Sequence, residues 1–137
     1  MAIYNKVAGA IALLESTVNS ATDQWGVALA ITAPTNTTFI AGTTDLVTGS
    51  GYTQGGANVT TTSSSETAGV YKLALTSPPT WTATGAGFSF QYVILVDKTL
   101  NASIGYWDYS SIVALNGGNA DTFTASLDLI NGVFQVA

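Results

Sequence analysis

The stretch Phe88–Tyr109, FSFQYVILVDKTLNASIGYWDY, constrains the fold more than any other part of the chain. It reads as two strands joined by a short polar loop. Phe88, Phe90, Tyr92, Ile94 and Val96 recur at period two, and Val93 and Leu95 fall on the other face. The second half of this strand is therefore apolar on both faces, as in a central strand covered on both sides. Asp97–Asn101 supplies turn chemistry. Ala102–Tyr109 then returns, with Ile104, Tyr106 and Asp108 alternating against Ser103, Gly105 and Trp107. The rest of the chain reads as strands added to this pair.

Before the hairpin, Ala2–Asn19 carries Val7, Ile11, Leu14 and Val18 on one helical stripe, with Asn5 as N-cap, and reads as a helix. A signal peptide is the rival reading, but the apolar run VAGAIALL is short and Glu15 follows it closely. No stretch approaches transmembrane length. Trp25–Ile31 is a short buried strand bounded by Thr22-Asp23 and Pro34. Thr35–Thr48 reads as loop with an edge strand. Gly49–Gly56, GSGYTQGG, implies turns of positive φ around one packed tyrosine, Tyr52. It lacks the lysine and the following helix of a phosphate-binding loop. Asn58–Ser65 suits a solvent-facing strand. Val70–Thr76 alternates as a half-buried strand, stopped by Pro78-Pro79. After Trp81 and the hairpin, Asn116–Asn119 is a turn. Thr122–Ile130 points Phe123, Ala125, Leu127 and Leu129 inward, and Asn131-Gly132 predicts a tight hairpin with Val133–Val136. The whole reads as one domain over residues 1–137, with a helix over 1–20 and strands over 24–137. The class is mainly β: an antiparallel β-sandwich or flattened barrel with one N-terminal helix.

Charge narrows the function. Only 8% of the 137 residues are charged, the cations are Lys6, Lys72 and Lys98, and the net charge is −5. No basic stripe can be drawn for nucleic acid or an anionic membrane, so neither is an expected partner. A chain that is 47% hydrophobic, with its polar surface supplied by Thr, Ser, Asn and Gln, repels its neighbours weakly. That composition points to a part in an assembly.

Catalytic chemistry finds little support. With no His and no Cys, a Ser–Lys pair is the one familiar nucleophile, and only Lys98 lies near a turn. Asp97 and Asp108 stand near opposite ends of the hairpin, too far apart for a glycosidase pair. Asp97, Asn101, Asn116, Asn119 and Asp121 offer hard oxygens for calcium, but turn capping accounts for them without a metal. Expected, then, are no enzyme activity, no cofactor and no metal. A second class of reading is a sugar-stacking platform built from Trp25, Trp81, Trp107, Tyr52, Tyr92, Tyr106 and Tyr109; such aromatics more often serve a core or interface.

Three pieces of the chain resemble a family of small bacteriophage virion proteins, encoded among head and tail structural genes. NKVAGAIALLESTVNSATDQWGVALAI is similar to the family's opening helix and short apolar strand. GSGYTQGG, ahead of a Thr-rich strand, resembles its Gly-Tyr-Thr-x-Gly-Gly element. TWTATGAGFSFQYVILVDKTLNASIGYWDY resembles its Trp, turn, aromatic strand and Gly-Tyr-x-Asp return. The resemblance implies a non-enzymatic structural role in the virion, assembled in the host cytoplasm. The first expectation is an outer capsid decoration or cement protein, commonly a trimer, bound to the major capsid protein. A tail or head–tail junction (neck) component is the alternative. Before Trp81 the chain carries LTSPPTW where relatives carry acidic residues, so an ion-dependent contact is not carried over. The residues expected at interfaces are Val7, Ile11 and Leu14, the GYTQGG loop with Tyr52 and Gln54, and Trp81.

Overall fold

The computed structural model describes residues 3–6, 22–68, 70–76, 78–128 and 132–136. Its frame is the expected hairpin: β6 (Phe88–Asp97) against β7 (Ala102–Leu115). On the other side of β6 lies β2 (Trp25–Ala30), antiparallel, every residue buried. Beyond β2 come β3 (Ala57–Thr67), β4 (Val70–Thr76) and β9 (Phe134–Val136). β1 (Ile3–Lys6) lies on the outer edge of β7, so the sheet order is β1-β7-β6-β2-β3-β4-β9. Each pairing is antiparallel, and the sheet curls into a half-barrel. A two-stranded ribbon, β5 (Thr80–Thr82) with β8 (Thr122–Thr124), forms a second, much smaller sheet.

The alternating side chains of β2 explain why it sits at the centre. Trp25, Val27 and Leu29 join the main core with Val59, Leu73, Leu75, Phe90, Val93, Leu95 and Ile104. Ala28 and Ala30 face the opposite way, into a smaller cluster with Phe39, Ile94 and Val96. A strand apolar on both faces has to be covered on both. Phe39, 6% exposed, does this on the second face from the loop after β2.

Three expectations need correction. Residues 3–6 are a strand rather than the start of a helix: Ile3↔Asp108 through Lys6↔Gly105 satisfy the β7 edge, and Ile3 and Tyr4 are residue types that suit a strand. The remainder of the expected helix, with Val7, Ile11 and Leu14, lies outside the described residues; those described form no α-helix. Second, Phe88 and Phe90 do not share a face with Ile94 and Val96. The register moves from Phe90↔Val113 to Tyr92↔Asp108, so β7 carries extra residues there. Across this irregularity Phe88 and Phe90 pack with Val93 and Leu95 instead. Third, β9 does not fold back on β8. It pairs with β4 (Tyr71↔Val136 to Leu73↔Phe134), extending the large sheet, while Ala125 and Leu127 cross the core. The Thr-rich stretch is ordered as β3, turning into β4 at Ala68 with φ 52°.

Candidate functional site

The most highly constructed part of the molecule is the loop between β2 and β3. Asp45 is buried, and its carboxylate is fully used. Oδ1 accepts from the Gly42 amide at 2.6 Å. Oδ2 accepts from the Gly55 amide at 2.6 Å and from the Tyr52 hydroxyl at 2.6 Å. The same hydroxyl accepts from the Leu29 amide at 3.1 Å. One carboxylate thereby ties the two ends of the loop to the last turn of backbone in β2. Burial, and then the neighbouring Asp45 carboxylate, push the Tyr52 phenol far above its ordinary range, so it stays protonated and donates. The glycines let the chain follow this path. Gly51, Gly55 and Gly56 have φ of 99°, 87° and 66°.

The ring of Tyr52 carries the loop into the ribbon. It lies 6.2 Å from Trp81 and 6.0 Å from Phe88, centroid to centroid. Trp81 stacks on Phe123 at 6.0 Å across the two strands of the ribbon, and Phe123 meets Phe90 at 4.6 Å. Tyr109 closes the series edge-on to Phe90 and Phe123. Of the residues expected at interfaces, Tyr52 and Trp81 are 2% and 6% exposed and lie in the core. Gln54 is exposed, and its backbone N–H donates to Thr48 Oγ1 at 3.1 Å. The surface this element presents is therefore the loop's outer backbone with Gln54. Because Trp81 is buried, Trp81, Trp107 and Tyr109 do not share an exposed sugar-stacking face.

Polar groups named for chemistry have structural engagements. Lys98 Nζ donates to Asn58 Oδ1 at 2.7 Å and to the Gly56 carbonyl at 3.4 Å, and burial lowers its pKa. From Tyr92, the partner of Asp108, to Asp97 the strand runs roughly 16 Å. That exceeds the separation of a glycosidase pair. Asp108 Oδ1 accepts from Gln91 and from the Ser110 amide. The oxygens considered for calcium are split between the two ends of the hairpin. At one end Asp97 Oδ1 accepts from the Thr99 and Leu100 amides. At the other, Asn116 Oδ1 accepts from Gly118 and Asp121 Oδ2 from Asn116. No cluster of three or more metal-ligating side chains occurs among the described residues.

Sequence reasoning missed a carboxyl pair. Asp97 is wholly buried, and burial, reinforced by the nearby Asp23, raises its pKa to about 6. Its Oδ2 meets no donor. Two carboxylates have no proton to share, so the pair is satisfied only when one is protonated. No local pattern reveals this, because β2–β6 pairing alone brings the two acids to one end of the sheet. The sign of the linkage follows. A carboxyl whose folded pKa is raised stabilises fully below its unfolded value, near pH 4, and that contribution is lost as pH rises through about 6. The difference is on the order of 3 kcal/mol. Asp97→Asn keeps the oxygen that caps Thr99 and Leu100 but carries no charge. It should gain about 1–3 kcal/mol at pH 7 and almost nothing at pH 4. Urea midpoints at the two pH values measure this, and equal gains at both would refute it.

Comparison with known proteins finds no match: no family model fits the chain, and no curated protein or solved structure is significantly similar to it.

Proposed function

We propose that this chain is a non-enzymatic structural subunit of a bacteriophage particle, in first place an outer capsid decoration or cement protein. The observation that carries the reading is where the family-like stretches meet. The loop GSGYTQGG, the Trp81 segment and the Phe88–Tyr109 hairpin pack on one another through Tyr52, Trp81 and Phe88. The three stretches are therefore coupled parts of one core, which supports reading them together. The finer architecture belongs to the same proposal: the β5–β8 ribbon is the second layer of a flattened barrel or sandwich over the large sheet. Its partners are copies of itself, as a trimer, and the major capsid protein.

The surface chemistry supports binding by apolar burial and main-chain pairing, because few charges are available. Attachment should accordingly change little with salt. Retention of the protein on purified particles between about 0.05 and 1 M salt, a range spanning most of the screening regime, should vary less than twofold. Release by moderate salt alone would count against this mode of binding. The decisive measurement is copy number against the major capsid protein, with localisation by imaging. Hundreds of copies over the shell agree with decoration. A few copies at one vertex or along the tail replace it with a junction or tail role.

A further inference from the structure

The end of the sheet where β2 begins holds a buried oxygen that the fold leaves unanswered. Asp97 stands directly opposite Trp25, so its side chain points to the main-core face, and it is 0% exposed. Its Oδ1 is used twice, by the Thr99 and Leu100 amides at 3.0 Å. Its Oδ2 lies inside the protein and meets no donor. Asp23 precedes Trp25 by two residues, which returns its side chain to the same face. Its carboxylate bears on that of Asp97 and is half-buried, so the pair keeps one side toward water. The Lys98 amide donates to the Gln24 carbonyl at 2.7 Å, and the Gln24 amide to Thr99 Oγ1 at 2.8 Å. Backbone bonding, not the acids' own attraction, therefore brings the two carboxylates together. Lys98 does not neutralise them. Its stem crosses Gly26 on the opposite face, and its Nζ donates to Asn58 and Gly56. The chain has no Arg or His to do so. A buried carboxylate oxygen with no donor is costly, and two adjoining carboxylates call for positive charge between them.

We propose that Asp23 and Asp97 together hold a hard divalent cation, calcium or magnesium, with Asp97 contributing Oδ2. The donor chemistry selects that class. Both ligands are carboxylate oxygens, and the chain has no Cys or His to favour a softer metal. The two oxygens of Asp97 divide the work. Hydrogen bonds from Thr99 and Leu100 fix Oδ1, and this is how a ligating carboxylate is held in place from behind. Two side chains fall short of a full coordination shell, so waters on the Asp23 side complete it, as in magnesium sites built on one or two carboxylates. So few protein ligands give a weak site, with a Kd of about 10⁻⁴–10⁻³ M. The cation does for the ionised pair what a shared proton does in acid. Asn116, Asn119 and Asp121, at the other end of the hairpin, take no part. A bound ion fastens the start of β2 to the β6–β7 turn. From that turn and the start of β7 the Asn101 carbonyl and the Ser103 amide hold Phe39 and Thr37. None of this depends on the phage reading.

The test uses the full chain, stripped with a chelator and dialysed at neutral pH. Calcium chloride or magnesium chloride is then added, with sodium chloride controls of equal ionic strength. At about ten times the Kd, the unfolding equilibrium constant should fall about tenfold, read as a higher urea midpoint. Equilibrium dialysis should give a single ion per chain. Asp97→Asn keeps the oxygen that caps Thr99 and Leu100 but removes the ligand, and Asp23→Asn removes the other. Both variants should fold, and in both the metal should change the unfolding constant by less than about twofold. Asp121→Asn, at the other end of the hairpin, serves as control and should keep the full response. A response to calcium alone, to magnesium alone or to both agrees with the site and names its ion. No response beyond the sodium control would overturn the proposal. So would a response that survives in Asp97→Asn and Asp23→Asn, or one lost equally in Asp121→Asn.

Discussion

Replacing Asp45 with alanine should destabilise the protein by about 3–5 kcal/mol, because it breaks a buried hydrogen-bond network and leaves several donors unpaired. Three donors lose their acceptor at once: the Gly42 and Gly55 amides and the Tyr52 hydroxyl. The Gly55 amide and the Tyr52 hydroxyl bind it in buried surroundings, and a buried donor left without a partner costs about 1–3 kcal/mol. Tyr52→Phe removes only the hydroxyl. It leaves the Leu29 amide unpaired and the ring still packed on Trp81 and Phe88, so about 1–3 kcal/mol is expected. Asp45→Asn should fall between, because an amide nitrogen would face a donor that needs an acceptor. Urea unfolding of the three variants measures the order. If Asp45→Ala costs less than Tyr52→Phe, the carboxylate is not the hub the geometry makes it.

This hub also shows where the sequence could be read and where it could not. The glycine spacing around Tyr52 announces a tight bend with a packed ring, and the structure has it. Nothing local marks Asp45, which lies outside the glycine run and reads as an ordinary loop acid until the chain is folded. The same division holds along the sheet. β2, β4 and the β6–β7 hairpin follow from hydrophobic period and flanking turns, which are properties of the segment itself. Which edge a short terminal strand joins is not such a property. Asn131-Gly132 favours a return onto β8, yet β9 gains more by extending the sheet at β4, where the Leu73 carbonyl already takes the Val133 amide. At the other edge, Ile3–Lys6 falls within the stretch read as the start of a helix and forms a strand where β7 offers unpaired backbone. The register irregularity at Gln91 is equally non-local: on its far side Phe88 and Phe90 join the aromatic series that holds the ribbon. The interface expectations at Tyr52 and Trp81 rested on residue type, which does not distinguish a buried aromatic from an exposed one. Only the assembled core reveals the difference.

Gly56→Ala should be among the most damaging substitutions that add a single carbon. Its φ is +66°, so any side chain pays for a left-handed backbone, about 1–2 kcal/mol. Space adds to this. A Cβ at Gly56 would stand 2.2 Å from the Val27 carbonyl oxygen and 2.7 Å from Ala28 Cα. Both neighbours are backbone of β2, which is bonded to β3 on one side and β6 on the other. Neither can yield without breaking a ladder or moving the loop off Tyr52. The total should therefore exceed about 3 kcal/mol, toward the upper range for overpacked cores. Gly85→Ala provides the internal comparison. Gly85 has a similar φ of +57° but nothing within 4 Å of the added carbon. It should cost only the conformational part, about 1–2 kcal/mol. The difference between the two, read from urea midpoints under one set of conditions, isolates the clash with β2. Equal losses would mean that the loop and the central strand are not in the close contact on which the anchoring of this site depends.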